Sequence, residues 1–152
     1  MKKEQWVETI PEPCPVLLAL EEIGDRWIMQ ILRACFFGYR RFDDIQENLG
    51  ISRSVLTTKL HNMVDLQLLE KVPYQEGSER TRYEYQLTQK GKDLLKVILA
   101  LLEWGNKHLV QPGEQMLTTI DKESGQEVRL ALLTSDHQRV RSRNIRLVPS
   151  ER

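Results

Sequence analysis

The stretch from Gly50 to Leu69 constrains the fold more strongly than any other part of the sequence. Gly50 favours a turn and Ser52 is a good N-cap, so a helix is expected over about residues 53–67. The apolar positions of this helix are spaced as in a buried stripe, and they are Leu56, Leu60, Met63 and Val64. A stripe of this kind needs other helices to pack against, which predicts that residues 53–67 lie on the surface of a helical domain.

The opposite side of this helix is polar and carries no acidic residue before Asp65. Its side chains are Ser54, Thr57, Thr58, Lys59, His61 and Asn62. An ordinary solvated helix carries pairs of glutamate and lysine on such a face. The pattern is typical of a surface that approaches a polar, negatively charged partner. The alternative is the solvated face of an all-α domain.

Three shorter helices are predicted before this segment, over residues 15–23, 26–36 and 42–48. Pro15 suits the first turn of a helix, where its missing N–H group costs nothing. Asp25 can cap the second helix, because its carboxylate can accept hydrogen bonds from the first free N–H groups.

After the surface helix the apolar period changes from that of a helix to that of a strand. Residues 69–72 and 81–87 alternate around a polar loop that contains a glycine, which predicts a β-hairpin, and Thr88 can cap a long helix over residues 89–110. A helix-turn-helix followed by a hairpin is the winged-helix arrangement. The predicted fold class is therefore mainly α with a small β component (α+β), with a long C-terminal dimerisation helix and a small β-meander extension.

This arrangement favours double-stranded DNA as the partner, since a major groove is wide enough to admit one helix. We expect side chains of residues 54–62 to face base edges, and Arg80 and Arg82 on the hairpin to reach the phosphate backbone. The full set of expected contact residues is Ser52, Arg53, Ser54, Thr57, Thr58, Lys59, His61, Asn62, Arg80 and Arg82. For the two hairpin arginines the alternative is pairing with nearby glutamates.

The chain resembles the HxlR-type family of winged helix-turn-helix regulators, which are relatives of the MarR type. The ordered matches are Cys14-Pro15, Ile23 to Trp27, Arg40 to Phe42, Ile51-Ser52, Tyr83 to Thr88, Gly91 and Trp104-Gly105. The resemblance implies a homodimeric DNA-binding transcription factor, a repressor or an activator. Two recognition helices related by a two-fold axis would fit a palindromic operator. It places the recognition helix on residues 52–62 and the wing on residues 73–82. Asp25 and Arg26 stand where the family commonly has glycine and lysine.

The chain is predicted to consist of an N-terminal arm over residues 1–12, which lacks a clear period, a winged-helix domain over residues 13–111, which the resemblance covers, and a C-terminal β-hairpin or meander extension over residues 112–152, where the pattern changes again. The long helix also has more apolar surface than one domain core can cover. We expect Leu94, Ile98 and Leu101 to face the core and a second copy to cover the remaining positions, which are Leu95, Leu99, Leu102 and Leu18 of the first helix. The alternative is that the C-terminal meander covers this face.

The sequence holds two cysteines and three histidines, without the spacing of a metal site or of a nucleophile and its base. No metal, cofactor or enzymatic activity is therefore predicted. Cys14 matches a position that some members of the resembling family use as a redox or electrophile sensor, so an oxidant or small-molecule effector is a possible partner. No signal peptide or membrane span is evident, which predicts a cytoplasmic protein. The rival functions are a winged-helix module that binds protein and a thiol-based redox enzyme centred on Cys14.

Overall fold

Four helices form in the predicted order at the start of the domain. A computed structural model describes residues 12–114 and 117–148. In it α1 spans Pro15–Ile23, α2 Arg26–Phe36, α3 Phe42–Leu49 and α4 Arg53–Asp65. The expected arm over residues 1–12 lies outside the described residues except for its last position. The predicted bounds of α1 and α2 agree with the structure, and those of α3 and α4 differ by one or two residues.

The starts of α2 and α4 are fixed by their capping side chains. The carboxylate of Asp25 accepts hydrogen bonds from the N–H groups of Trp27 at 2.8 Å and Ile28 at 3.2 Å. The hydroxyl of Ser52 accepts one from the N–H group of Val55 at 3.4 Å. Gly50 ends α3 with a φ of 61°. Residues that carry a Cβ atom are destabilised in this left-handed conformation, so a glycine at this position permits the tight turn into α4.

The core lies where α2, α3 and α4 meet the start of the hairpin. Its fully buried side chains include Ile31, Leu32, Ile45, Leu56, Leu60 and Met63. Three of the four predicted stripe residues of α4 are therefore in the core, and Val64 packs against it. This burial holds α4 with its polar side outward.

The hairpin consists of β1, Leu69–Tyr74, and β2, Arg82–Leu87, paired antiparallel with Leu69 opposite Leu87. The segment before α3 adds a third partner, because the N–H group of Tyr85 donates to the carbonyl of Arg40 at 2.7 Å and Arg41 forms a bridge with Glu84. The sequence did not predict this contact. It fixes the wing to the start of the helix-turn-helix.

The long C-terminal helix was predicted as one element and is found as two. They are α5, Gln89–Asp93, and α6, Leu95–His108, and the hydrogen-bond pattern changes at Leu94, whose N–H group bonds to the carbonyl of Gly91. Glycine and aspartate make the first segment a weak helix. Thr88, the N-cap of α5, donates a hydrogen bond from its hydroxyl to the carbonyl of Gln67 at 2.5 Å, which links the start of α5 to the segment before β1.

The predicted meander is reduced to two turns in the described part of the extension. Each is closed by an isolated bridge, Ile120 with Glu127 and Leu133 with Arg139, and a short 3-10 helix follows over Ser142–Asn144. Residues 127–134 pair with the preceding and the following segment only at these isolated bridges and a few backbone hydrogen bonds, so no continuous ladder forms in the described part of the extension. The extension lies along α6, where the N–H group of Leu130 donates to the carboxylate of Glu103 at 2.7 Å.

On α1, only Ile23 at its end packs against the core. Val16, Leu17 and Leu20 are 64%, 60% and 57% exposed. On α6, Leu101 was expected to face the core and is 52% exposed. The fold of one chain thus leaves apolar surface on two helices. Within the described residues, no helix has the length and apolar character needed to cross a bilayer.

Candidate nucleic-acid interface

The outer side of α4 is exposed along its whole polar length. Ser54, Thr57, Thr58, His61 and Asn62 are all exposed, as the sequence predicted for a helix anchored through its leucines. None of them is acidic, and small side chains near the helix start allow close approach to its backbone. The first N–H groups of α4 point away from the helix body, and such groups are ready donors to a phosphate.

The two threonine hydroxyls on this face already have intrahelical partners. Thr57 donates to the carbonyl of Arg53 at 2.8 Å, and Thr58 donates to the carbonyl of Ser54 at 3.1 Å. Each hydroxyl oxygen therefore keeps its lone pairs, and each side chain keeps its methyl group, for an incoming molecule. Such a threonine can accept a hydrogen bond from a base amino group or contact a thymine methyl group.

Lys59 was expected to contact phosphate, and the structure gives its ammonium group a different partner. Nζ lies 2.6 Å from Oδ2 of Asp25, and the lysine side chain is only 24% exposed. This ion pair joins α4 to the capped start of α2. The hydrogen bond from Lys59 is the main cause that lowers the pKa of Asp25 below its ordinary value. Because Lys59 is engaged inside the domain, we leave it out of the contact set proposed below.

Arg53 stands at the exposed start of α4. Its guanidinium lies 3.5 Å from the carboxylate of Asp43 and 4.7 Å from the ring centroid of Phe42. Both charged side chains are largely in solvent, so this pair contributes little to stability. Arg53 is therefore free to exchange Asp43 for a phosphate group.

The wing carries the two arginines that the sequence singled out. Arg82 lies at the start of β2, and its guanidinium is 3.3 Å from the carboxylate of Glu79, with both side chains about 60% exposed. Arg80 is exposed on the loop before β2. The pairing with glutamate that was left open is thus present for Arg82, but in an exposed form that a phosphate can replace.

Two further arginines lie beside the wing and were not predicted as contact residues. Arg40 is exposed, and the guanidinium of Arg41 lies 4.5 Å from the ring centroid of Tyr74 and pairs with Glu76. The pairing of residues 40–41 with β2 brings them there. In the sequence, Arg40-Arg41-Phe42 matches the family pattern, and this match could have identified the two arginines as contact residues.

The four residues expected at a subunit contact do not share one environment. Leu18 and Leu95 are 48% and 40% exposed, whereas Leu99 and Leu102 are half-buried beside α2 and the extension. The covering of Leu99 and Leu102 agrees with the alternative in which the extension reaches this face. The exposed large apolar residues of α6 are Leu95, Val97, Leu101 and Trp104.

The two cysteines lie in different environments. Cys14 is half-buried at the N-cap of α1. Cys35 lies in the core, where burial raises the pKa of its thiol to about 12. Among the described residues, histidine, cysteine and acidic side chains form no group of three that could hold a metal ion.

These features define a winged helix-turn-helix domain, and comparison with known proteins places it in a family. The sequence model of HxlR-like helix-turn-helix proteins matches residues 22–112. The chain belongs to this family.

Individual relatives agree with this assignment. The chain is 46% identical over 94 residues to the uncharacterized HTH-type transcriptional regulator MT3179 of Mycobacterium tuberculosis (strain CDC 1551 / Oshkosh). The aligned region covers 62% of this chain and 58% of that protein. The chain thus matches little more than half the length of this relative.

Solved structures show the same architecture. The crystal structure of PA1607, a candidate transcription factor, matches 90% of this chain and 94% of its own with a TM-score of 0.79 and 34% identity. That match extends well beyond the family range, so it includes part of the extension. The redox regulator HypR in its reduced form matches 62% of this chain and 94% of its own with a TM-score of 0.54 and 26% identity.

Proposed function

We propose that this protein is a cytoplasmic, homodimeric transcriptional regulator that binds double-stranded DNA through α4 and the wing. The observation that carries the proposal is the exposed, acid-free side of α4, held outward by leucines that are fully buried in the core. The family assignment and the names of its relatives support it.

In this proposal the two elements have different tasks. Ser54, Thr57, Thr58, His61 and Asn62 face base edges in the major groove and supply sequence preference. Ser52 and the start of α4 with Arg53 contact the phosphate backbone on one side, and Arg80 and Arg82 contact it on the other. Phosphate contacts set affinity and its dependence on salt, whereas base contacts set preference.

The proposed dimer follows from the apolar surface that one chain leaves uncovered. The outer face of α1, which includes Leu17 and Leu18, and the exposed positions of α6, which include Val97, have no cover within the described chain. Exposed apolar residues grouped on two helices are typical of a subunit contact. Two-fold pairing presents two copies of α4 to one duplex, which suits a palindromic operator with half-sites about 34 Å apart.

The experiment begins with selection of the purified chain against random duplexes, followed by anisotropy measurements on a selected and a scrambled duplex over a range of salt. Arg82→Ala should weaken binding to both duplexes equally and reduce the magnitude of the salt slope by about 1. Thr58→Val and Asn62→Ala should weaken binding mainly to the selected duplex.

Arg129→Ala is the matched control, because Arg129 pairs with Glu127 in the extension, away from α4 and the wing. It should leave binding to both duplexes unchanged. Equal losses on both duplexes for Thr58→Val and Asn62→Ala would reject the assignment of α4 to base edges. If no duplex binds at physiological salt, the rival function, a winged-helix module that binds protein, is favoured instead.

The proposed effector response rests on Cys14 and on the likeness to the redox regulator HypR. A peroxide can oxidise the Cys14 thiol to a sulfenic acid with release of water. We expect this oxidation to change the affinity for the selected duplex in the wild type and not in Cys14→Ser. Unchanged affinity in fully oxidised wild-type protein would remove this part of the proposal.

A further inference from the structure

The last part of the extension is strongly basic. Residues 139–146, called the basic segment below, contain four arginines and neither aspartate nor glutamate. The whole chain has 22 basic and 22 acidic residues, so the rest of it carries four more acidic than basic residues. The positive charge is therefore a local feature that the net charge of the chain does not reveal. Charge concentrated in this way on a neutral protein indicates an anionic partner.

The fold directs the arginines of the basic segment into solvent. Val140 and Ile145 are half-buried, whereas Arg139, Arg141 and Arg143 are exposed. Arg139 lies in a β-bridge and Arg141 has an extended backbone, so these two residues flank Val140 on the opposite side of the chain. In extended backbone such neighbours are about 6.7 Å apart. Adjacent guanidinium groups are thus presented together on one surface.

Backbone hydrogen bonds hold the basic segment in this arrangement. The N–H group of Val140 donates to the carbonyl of Leu132 at 2.8 Å, and the N–H group of Asn144 donates to the carbonyl of Arg141 at 2.8 Å. Because the backbone is already ordered, binding a partner costs less conformational entropy than it does for a flexible basic tail.

The exposed arginines of the basic segment are not neutralised by carboxylates of their own chain. Within the described residues, Arg139, Arg141 and Arg143 form no ion pair. The acidic residue nearest to them in the sequence is Asp136, whose carboxylate accepts a hydrogen bond from the hydroxyl of Thr134. An anionic partner therefore displaces only water from these guanidinium groups.

The basic segment and α4 belong to different parts of the molecule. Leu133 forms the bridge with Arg139, and the residues just before it border Trp104 and His108 near the end of α6. α4 packs instead against α2 and β1. The basic segment also lies beyond residues 22–112, which the family model matches, so the shared domain does not contain this surface.

We propose that the basic segment is a second, sequence-independent DNA-binding surface, which holds another stretch of duplex while α4 occupies the operator. Guanidinium groups donate paired hydrogen bonds to phosphate oxygens, a geometry that lysine does not offer. Phosphate contacts carry no information about bases, so this surface accepts any duplex. The simultaneous holding of two duplexes rests on the proposed function, because α4 must bind one of them. Binding by the basic segment itself does not.

A biosensor experiment in two steps tests the proposal. A selected palindromic duplex is immobilised and loaded with the full-length chain, and a scrambled duplex is then passed over it at low salt. The wild type should bind the scrambled duplex in this second step, with a salt slope of about −3 for three phosphate contacts. The combined variant Arg139→Gln, Arg141→Gln, Arg143→Gln should load as the wild type does. It should bind the scrambled duplex at least about tenfold more weakly.

The combined variant Lys92→Gln, Lys122→Gln, Arg129→Gln is the matched control. It removes the same charge from exposed positions outside the basic segment. Both of its steps should equal those of the wild type. Circular dichroism verifies that each variant is folded.

Three results would overturn the proposal: no second step in the wild type, equal second steps in the wild type and the basic-segment variant, or equal losses in the basic-segment and control variants. If the palindrome captures no protein, the proposed function fails, and anisotropy with the scrambled duplex tests the basic segment alone. Wild-type binding that the basic-segment variant loses would then support the inference, and absence of binding would overturn it.

Sedimentation with vesicles of phosphatidylcholine and phosphatidylserine examines the other anionic surface that arginines can bind. The basic-segment variant should lose binding to the duplex whether or not it also loses binding to vesicles. If it lost only the vesicles, the partner would be a membrane surface and the proposal would be wrong.

Discussion

At the scale of single residues, Asp25 performs two tasks whose contributions can be separated by pH. It caps α2 and pairs with Lys59 of α4, and its pKa is lowered chiefly by that pairing. A carboxyl group with a lowered folded pKa stabilises the fold above its unfolded pKa of about 4, and this stability is lost as pH falls through the folded pKa.

Asp25→Asn keeps a capping oxygen and removes the charge. We expect it to lower the free energy of unfolding at pH 7 by about 0.5–1 kcal/mol, because both partners are partly solvated. The difference from the wild type should shrink as the pH falls below about 4 in urea titrations, because the wild-type carboxyl group is protonated first in the unfolded chain and then, through its lowered pKa, in the folded protein. Asp43→Asn is the control, since its pair with Arg53 is largely in solvent. A difference that stays constant down to pH 2 would contradict the role of the charge.

The two thiols should differ in reactivity by position alone. Cys35 is 9% exposed and burial raises its pKa to about 12, so it remains an unreactive thiol at neutral pH, whereas Cys14 is half-buried at a helix start. N-ethylmaleimide at pH 7.5 should modify Cys35 at least about tenfold more slowly than Cys14, as followed by mass spectrometry. Denatured protein should lose the difference, and equal rates in the native protein would contradict the buried position of Cys35.

At the scale of elements, Gly91 sets the distance between the wing and the C-terminal helices. A Cβ atom added there would lie 2.2 Å from the carbonyl oxygen of Leu68 and 3.1 Å from a methyl group of Leu87. The first atom belongs to the backbone, which cannot move without shifting β1. Close packing against Leu68 therefore explains why a glycine stands at position 91, which is one of the positions that match the family.

Gly91→Ala should lower the free energy of unfolding by about 1–3 kcal/mol through overpacking. Gly105→Ala is the matched control in α6, where an added Cβ atom meets nothing within 4 Å. It should raise stability by about 0.5–1 kcal/mol, because alanine favours a helix. Urea titrations at one fixed protein concentration compare the two, since a dimer's stability depends on concentration. Similar effects of both changes would argue against the close contact.

The sequence predicted those elements whose signals are local. Asp25 and Ser52 mark helix starts, and the spacing of Leu56, Leu60 and Met63 marks the buried side of α4. Signals of this kind need no knowledge of the neighbouring element.

What the sequence could not predict depends on neighbours far along the chain. The ion pair of Lys59 joins residues 34 positions apart, and the pairing of Arg41 with Glu84 joins separate elements. The strand pattern of residues 127–134 indicated a regular meander, whereas the neighbouring segments pair with it only at isolated bridges, because a continuous ladder depends on the register of residues elsewhere in the chain. Apolar residues of α1 indicated burial without saying whether this chain or another provides it.

At the scale of the whole molecule, the proposed function depends on how two copies of α4 are spaced. One α4 reads only a few base pairs, and a second copy at a fixed distance along the duplex multiplies both affinity and preference. α1 lies beside the start of the C-terminal helices, since Ala19, Ile23 and Leu94 line one small cavity. A contact through α1 and α6 would therefore fix the distance between the two DNA-binding surfaces.

The apolar side chains that one copy leaves in solvent give the test of this assembly. Leu17 is 60% exposed on α1, and Val97 is 40% exposed on α6. Leu17→Glu and Val97→Glu each place a charge where the proposed contact excludes water, and burial of an unpaired charge is strongly unfavourable. Each variant should sediment as a folded monomer at concentrations where the wild type is a dimer. Each should also lose most of its affinity for a palindromic duplex but much less for a half-site.

Leu133→Glu controls for the added charge, because Leu133 is 53% exposed on the extension and lies outside the proposed contact. This variant should remain dimeric and bind the palindrome as the wild type does. If Leu17→Glu and Val97→Glu both remained dimeric, the subunit contact could not be the one proposed between α1 and α6. If the wild type sedimented as a monomer and yet bound DNA, the two-fold arrangement would be wrong while the role of α4 stood, because the burial of its leucines depends on one chain alone.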